Sequence, residues 1–289
     1  MAVLSGSITV VEVFDQGANL VSRNPVAVGI LWLTALPVRC LTVLMVLTVI
    51  TCGDQSRHAA GTLHTLAWQT TVAWLVSLWG RQCYVRACAV SMAGTRPTLR
   101  ALVRVPGPAL LAHLQVALVI EVLFWALLPL VVVAPCCVIL AAVGAVTAPL
   151  VGPGWWRPVR SLALPAGVIA LLLVSLSAAV GIGIACFNLH LVVLACRWLG
   201  AALLGVSVAT WVPLLTWSNP LYLGLLLVGG GLAIEPLYLA IVVAIVDRAY
   251  ARSSGQDLRH WFAEIEDRNR AAAATSSLPS AAEPVTQAS

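Results

Sequence analysis

The chain contains no lysine, and charged residues of any kind make up only 9% of its 289 positions. A soluble globular chain is about a quarter charged and about half apolar. Here the AVILMFWYC set reaches 61%. A water-soluble fold has too few polar groups in this sequence to cover that much apolar surface. The matching solvent is a bilayer.

The cations are all arginine, and the sixteen of them against eleven acidic residues give a net charge of +5. Absence of lysine beside abundant Ala, Val, Gly and Pro reads as the codon bias of a GC-rich genome. No basic stripe is interleaved with aromatics, so no nucleic-acid partner is expected.

Catalytic and metal signatures are missing too. There is no H-E-x-x-H, G-x-S-x-G or Walker loop, and no nucleophile has a base beside it. The eight cysteines (40, 52, 83, 88, 136, 137, 186 and 196) form no C-x-x-C pair. They read as small buried hydrophobes, and the adjacent Cys136 and Cys137 are poorly placed to bridge. His58, His64 and Asp54 lie close in sequence but at no known ligand spacing. No metal, cofactor or catalytic residue is therefore expected, and the chain reads as a non-enzyme. Residues 1–25 carry Glu12 and Asp15 and no basic leader, so no cleaved signal peptide is expected.

What is present is a series of long apolar runs. About 20 helical residues cross the hydrocarbon core. Residues 26–50 form a first span, with Pro37 and Arg39 inside it. Residues 61–80 form a second. The 44 apolar positions of 107–150, broken by Pro129 and Pro135, suffice for two more. Further runs cover 162–187, 191–213 and 221–246, with a turn expected at Asn188 and His190 and a break over Pro213–Pro220. Trp155 and Trp156 suit a membrane interface.

Residues 81–106 carry Arg81, Arg86, Arg96, Arg100 and Arg104 with no acidic residue. The positive-inside rule makes this loop cytoplasmic. Arg248, Arg252 and Arg259 put the chain's end on the same side. Seven crossings would contradict that parity, so the segment around Arg197–Asn219 is expected to be irregular. The expected fold is all-α: a polytopic transmembrane helical bundle of six to seven membrane helices, with a surface amphipathic helix at each end and both termini cytoplasmic.

The division along the chain follows. Residues 1–25 form an N-terminal interfacial segment, in which Ile8, Val11, Phe14, Ala18 and Val21 share one helical face. The alternative is that this stretch begins a longer first helix. Residues 26–247 form the bundle. Residues 248–270 form a charged cytoplasmic helix, with Trp261 and Phe262 as candidate partner contacts. Residues 271–289 are too small and polar to order themselves.

Four ionisable residues fall inside apolar runs: Arg39, Glu121, Arg197 and Glu235. Each costs about 2.5–3.5 kcal/mol on insertion scales, so such groups turn inward and pair. They line an ion or substrate path, or they balance two against two as buried struts. Gly229–Gly231 ahead of Glu235–Pro236 reads as a helix break of the kind that builds transporter sites, or as a kink. Ser177, Gly181 and Gly183 supply a small-residue face for close helix packing.

Three stretches carry a resemblance: 14–24 (FDQGANLVSRN), 94–102 (GTRPTLRAL) and 235–262 (EPLYLAIVVAIVDRAYARSSGQDLRHWF). They resemble a large group of bacterial polytopic membrane proteins similar to the membrane domain attached to some glycerophosphodiester phosphodiesterases. Asp15 and Gly17 match its Asp-x-Gly stretch. Gly94, Pro97, Thr98, Leu99 and Arg100 match its Gly-x-x-Pro-Ser/Thr-Leu-Arg segment. Glu235, Pro236, Gly255, Asp257 and Leu258 match its final Glu-Pro helix and Glu-Gly-x-Asp-Leu, with Ser254 in place of glutamate. The resemblance implies a bacterial cytoplasmic-membrane protein of about six helices. It implies no activity, and no stretch here is composed to hold the phosphodiesterase. Relatives are often encoded near a second membrane protein and a MoxR-type ATPase, which implies a membrane assembly.

Three functions follow as expectations. The first is a scaffold or accessory subunit that meets membrane lipids and a membrane or cytoplasmic partner. The second is a transporter or channel using Glu121 and Glu235. The third is a lipid-modifying enzyme whose interfacial arginines hold phosphate head groups.

Overall fold

The structure, a computed structural model, describes residues 10–51, 58–95, 97–127, 144, 146, 165–204 and 213–254. They are overwhelmingly helical, and no strand occurs among them. In chain order the helices are α1 (Val10–Arg23), α2 (Pro25–Thr51), α3 (His58–Met92), α4 (Leu99–Val103), α5 (Gly107–Leu127), α6 (Pro165–Leu204) and α7 (Pro220–Ser254). Among the described residues, three stretches are long and apolar enough to cross a membrane: Pro25–Thr51, Leu171–Leu203 and Pro220–Arg248. Their exposed leucines, such as Leu33, Leu176 and Leu203, would be a liability in water and are ordinary against lipid tails.

Two compact units divide the chain, Met1–Val246 and Asp247–Ser289. Of the second, only the helical residues 247–254 are described. The expected C-terminal helix with Trp261 and Phe262, the tail, and the second span of 107–150 lie outside the described residues.

Within the first unit, α3 is the hub. Residues Gln82–Cys88 are almost wholly buried apart from Arg86, because this stretch faces several helices at once. α2 lies antiparallel to it. Asn24 reaches Ser91 at one end, and Thr34 meets Gly80 further along. A Cβ at Gly80 would overlap the Thr34 hydroxyl and lie 2.8 Å from Thr34 Cβ, so only glycine lets these helices touch. α7 runs antiparallel to α2, through Gly224 against Val43 and Trp32 against Leu232. α6 runs antiparallel to α7, through Ser175–Tyr238, Gly181–Ile234, Gly230–Cys186 and His190–Tyr222. Half of the α7 span is buried but very little of α6, and α7 is buried all round from Leu239 to Val246.

Local signals set several ends. α3 stops at Gly94, whose φ of 78° is a left-handed backbone that glycine adopts without strain. Gly94 N–H donates to Ser91 O (3.1 Å) and Thr95 N–H to Val90 O (3.3 Å), the paired closure of a Schellman cap. Thr98 caps α4 by accepting from Ala101 N–H. Asn219 caps α7, accepting from Leu221 N–H at 3.0 Å, with Pro220 in the first helical position, where its missing N–H costs nothing.

The helices differ from the sequence expectations in three places. Residues 81–92, expected within a loop, continue α3. The positive-inside rule counts arginines and is blind to the secondary structure carrying them. No turn occurs at Asn188 and His190, where α6 is one helix of 40 residues, about 60 Å long. His190 is absorbed instead by α7, through a 2.7 Å hydrogen bond to Tyr222 and a ring contact with Trp217. The Gly229–Gly231 run does not break α7. Its glycines are packing notches, since a Cβ on Gly230 would lie 2.6 Å from Cys186 Sγ and 3.0 Å from Ile182 O.

α1 is a helix separate from α2, and it buries Val13, Gly17 and Leu20. The expected apolar stripe of Val11, Phe14, Ala18 and Val21 lies one residue on, about 100° round the helix, and is exposed or half-buried. The covered face is chosen by Gly17, where a Cβ would meet Ile241 Cγ1 at 2.5 Å.

Candidate functional site: the Glu235 clasp

The site forms where α2, α3 and α7 come together, and it begins with Pro236. A proline inside a helix has no N–H to offer the carbonyl four residues earlier. In α7 that carbonyl belongs to Leu232. The indole Nε1–H of Trp32 on α2 donates to it at 2.7 Å. In lipid, neighbouring helices supply what a proline takes away. On α3, Tyr84 is fully buried and donates its hydroxyl to the carbonyl of Pro236 itself at 2.8 Å.

Glu235 is buried beside this proline. Arg39 of α2 donates through Nη2 to Glu235 Oε2 at 2.6 Å. Arg81 of α3 donates through Nε to Glu235 Oε1 at 3.0 Å. Both carboxylate oxygens therefore hold a charge-assisted hydrogen bond, each from a different helix. Gly231, one turn before Glu235, gives Arg39 its room: a Cβ there would lie 2.5 Å from Arg39 Nη1. The three charged groups leave a net charge of +1, and both arginine side chains keep partial exposure (25% and 31%).

A second polar group lies next along α3. Gln82 donates through Nε2 to Ala109 O of α5 at 2.7 Å. Its Oε1, and both ring nitrogens of the buried His113 one turn along α5 from Ala109, have no hydrogen-bond partner among the described residues. Such orphans are rare in folded proteins and call for ordered water or a ligand.

Of the four charged residues singled out by sequence, the structure brings Arg39 and Glu235 together. Arg197 is half-buried on α6 and forms no ion pair among the described residues. The Glu121 side chain lies outside the described residues. At this site two arginines meet one glutamate. Sequence reasoning missed Arg81, which it put in a loop, and also Trp32, Tyr84, Gln82 and His113. A signal for Trp32 existed in part, since Pro236 within a span demands a donor for Leu232. Among the described residues no group of three or more His, Cys, Asp or Glu side chains can hold a metal. Cys40, Cys83, Cys88, Cys186 and Cys196 are free thiols.

No family model, curated protein or solved structure matches the chain.

Proposed function

We propose that the chain is a non-enzymatic scaffold or accessory subunit of a membrane complex, held in shape by the Arg39–Glu235–Arg81 clasp. The observation carrying this reading is that both oxygens of Glu235 are taken by arginines from two other helices. A transport carboxylate needs a free or exchangeable oxygen. This one is committed to joining α2, α3 and α7. The unbroken course of α7 through Gly229–Gly231 removes the discontinuous helix that first suggested a transport site.

The reading extends to topology. With residues 165–204 as one helix, the seven apolar runs reduce to six crossings, which returns both termini to one side. Arginine placement makes that side cytoplasmic, in a bacterial inner membrane as the resemblance implies. α1 then lies along the cytoplasmic interface, its Val11–Phe14–Ala18–Val21 stripe against lipid. The charged segment with Trp261 and Phe262 offers the contact to a cytoplasmic partner.

The test is purification of the tagged chain from native membranes in mild detergent, with co-purifying chains identified by mass spectrometry. A stoichiometric partner is expected, and its retention should weaken when Trp261 and Phe262 are both replaced by alanine. A homogeneous chain with no partner defeats the reading.

One observation favours transport as the second reading. The orphan atoms of Gln82 and His113 are what a hydrated interior would serve. That reading predicts ion or solute flux in liposomes that Glu235→Gln abolishes.

A further inference from the structure

A cleft of about 600 Å3 lies where α1 ends, α2 begins and α3 ends, lined by Ser22, Arg23, Pro25, Ser91, Gly94 and Thr95. Its size is that of a small-ligand pocket. We propose that it binds a phosphodiester head group that carries a primary ammonium, presented by a membrane lipid of the phosphatidylethanolamine type.

The polar groups of the cleft specify both charges. Arg23 is the one cation among its described lining residues, and it forms no ion pair among the described residues. Its planar fork suits a phosphate. The three lining hydroxyls have their protons committed: Ser22 to Asn19 O (2.9 Å), Ser91 to Asn24 Oδ1 (2.9 Å) and Thr95 to Val90 O (3.1 Å). Each can therefore only accept from a ligand. α1 and α3 both end here, so their carbonyl ends add partial negative charge that favours a cation, while the N-terminus of α2 adds to Arg23 in favouring a phosphate. An anion alone would answer Arg23 and the α2 N-terminus but leave the accepting hydroxyls and the two carbonyl ends unanswered. A phosphate joined to an ammonium answers both, and an ammonium with N–H bonds can donate to the hydroxyl oxygens where choline cannot.

The lipid form follows from what adjoins the cleft. Pro25 opens α2, and Val26 and Leu33 lie seven residues apart on one face of that helix, 57% and 75% exposed. This face gives an acyl chain a path away from a head group seated at Arg23. The cleft is built from stretches distant in sequence and pinned by the buried Asn24, which accepts from Ser91 and donates to Leu20 O at 2.8 Å. The inference rests on α2 entering a membrane and not on the scaffold reading.

The test is native mass spectrometry of the whole chain in mild detergent with equimolar dioleoyl phosphatidylethanolamine, phosphatidylcholine and phosphatidylglycerol. The expected result is retention of the ethanolamine lipid several-fold over the other two. Arg23→Gln, at an exposed position, should lower its retention about tenfold with an unchanged melting temperature. Thr95→Val should reduce the preference over phosphatidylcholine. Millimolar glycerophosphoethanolamine separates the sources: displacement shows that the soluble head group suffices, and persistence of the lipid shows that the chains are needed. Equal retention of all three lipids, preference for phosphatidylglycerol, or full retention by Arg23→Gln overturns the proposal.

Discussion

Trp32 of α2 donates its indole N–H to the carbonyl of Leu232, four residues before Pro236, at 2.7 Å. One helix thus completes the backbone hydrogen bonding that a proline opened in another. The same proline-centred turn carries Glu235, so the completed backbone bond and the ionic clasp form one joint.

This relationship predicts a specific non-additivity. Trp32→Phe strands the Leu232 carbonyl, and an acceptor left unpaired away from water costs about 1–3 kcal/mol. Pro236→Ala restores an N–H at position 236 and makes the Trp32 donor dispensable. Trp32→Phe should therefore cost clearly less in the Pro236→Ala background, measured by unfolding in detergent across the four-member cycle. Equal costs in both backgrounds would show that the indole acts through its bulk alone.

The α2–α3 crossing predicts a second outcome. Gly80→Ala drives a methyl into Thr34, and overpacking costs about 1–3 kcal/mol. Thr34→Ala should recover part of the loss. Gly29 and Gly183 sit in helices with nothing within 4 Å of an added Cβ, so Gly→Ala there should be neutral or stabilise by up to about 1 kcal/mol. Melting temperatures of the four variants check the contrast.

Asn24 predicts a third. It is buried between α1 and α2, and its side chain joins Leu20 O to Ser91 Oγ. Asn24→Ala should cost about 1–3 kcal/mol and expose the α1–α2 junction. Limited proteolysis should then cut near residue 24, where the wild type resists. Ser91→Ala should do the same more weakly, because it removes one of the two bonds.

The sequence made much of this architecture legible, and particular residues show where legibility stopped. The apolar runs announced membrane helices because lipid demands them whatever the tertiary fold. Arg39 and Glu235 stood out because charge inside an apolar run is costly and must be answered. Arg81 did not stand out. It sits in a stretch with Gln82 and Arg86 whose polarity resembles a loop, and only burial by surrounding helices shows it to be helical. His190 misled for the related reason that its polarity is answered by Tyr222, 32 residues away in sequence. Gly229–Gly231 misled because glycine weakens a helix and also admits a neighbour. Which of these applies depends on whether Cys186 and Arg39 lie against it. Likewise Pro236 shows that a donor is needed, but a tryptophan some two hundred residues earlier cannot be read from the sequence.

The most direct test of the clasp is the thermal unfolding of Glu235→Gln in lipid nanodiscs, beside Arg39→Met. Removing the glutamate leaves two arginines with no counter-charge, and breaking a buried ion pair costs about 3–5 kcal/mol, less where the partners are partly exposed. Removing Arg39 leaves Glu235 paired with Arg81. The account predicts a large fall in melting temperature for Glu235→Gln and a smaller one for Arg39→Met. A Glu235→Gln protein that melts like the wild type would contradict the clasp and return Glu235 to the transport reading.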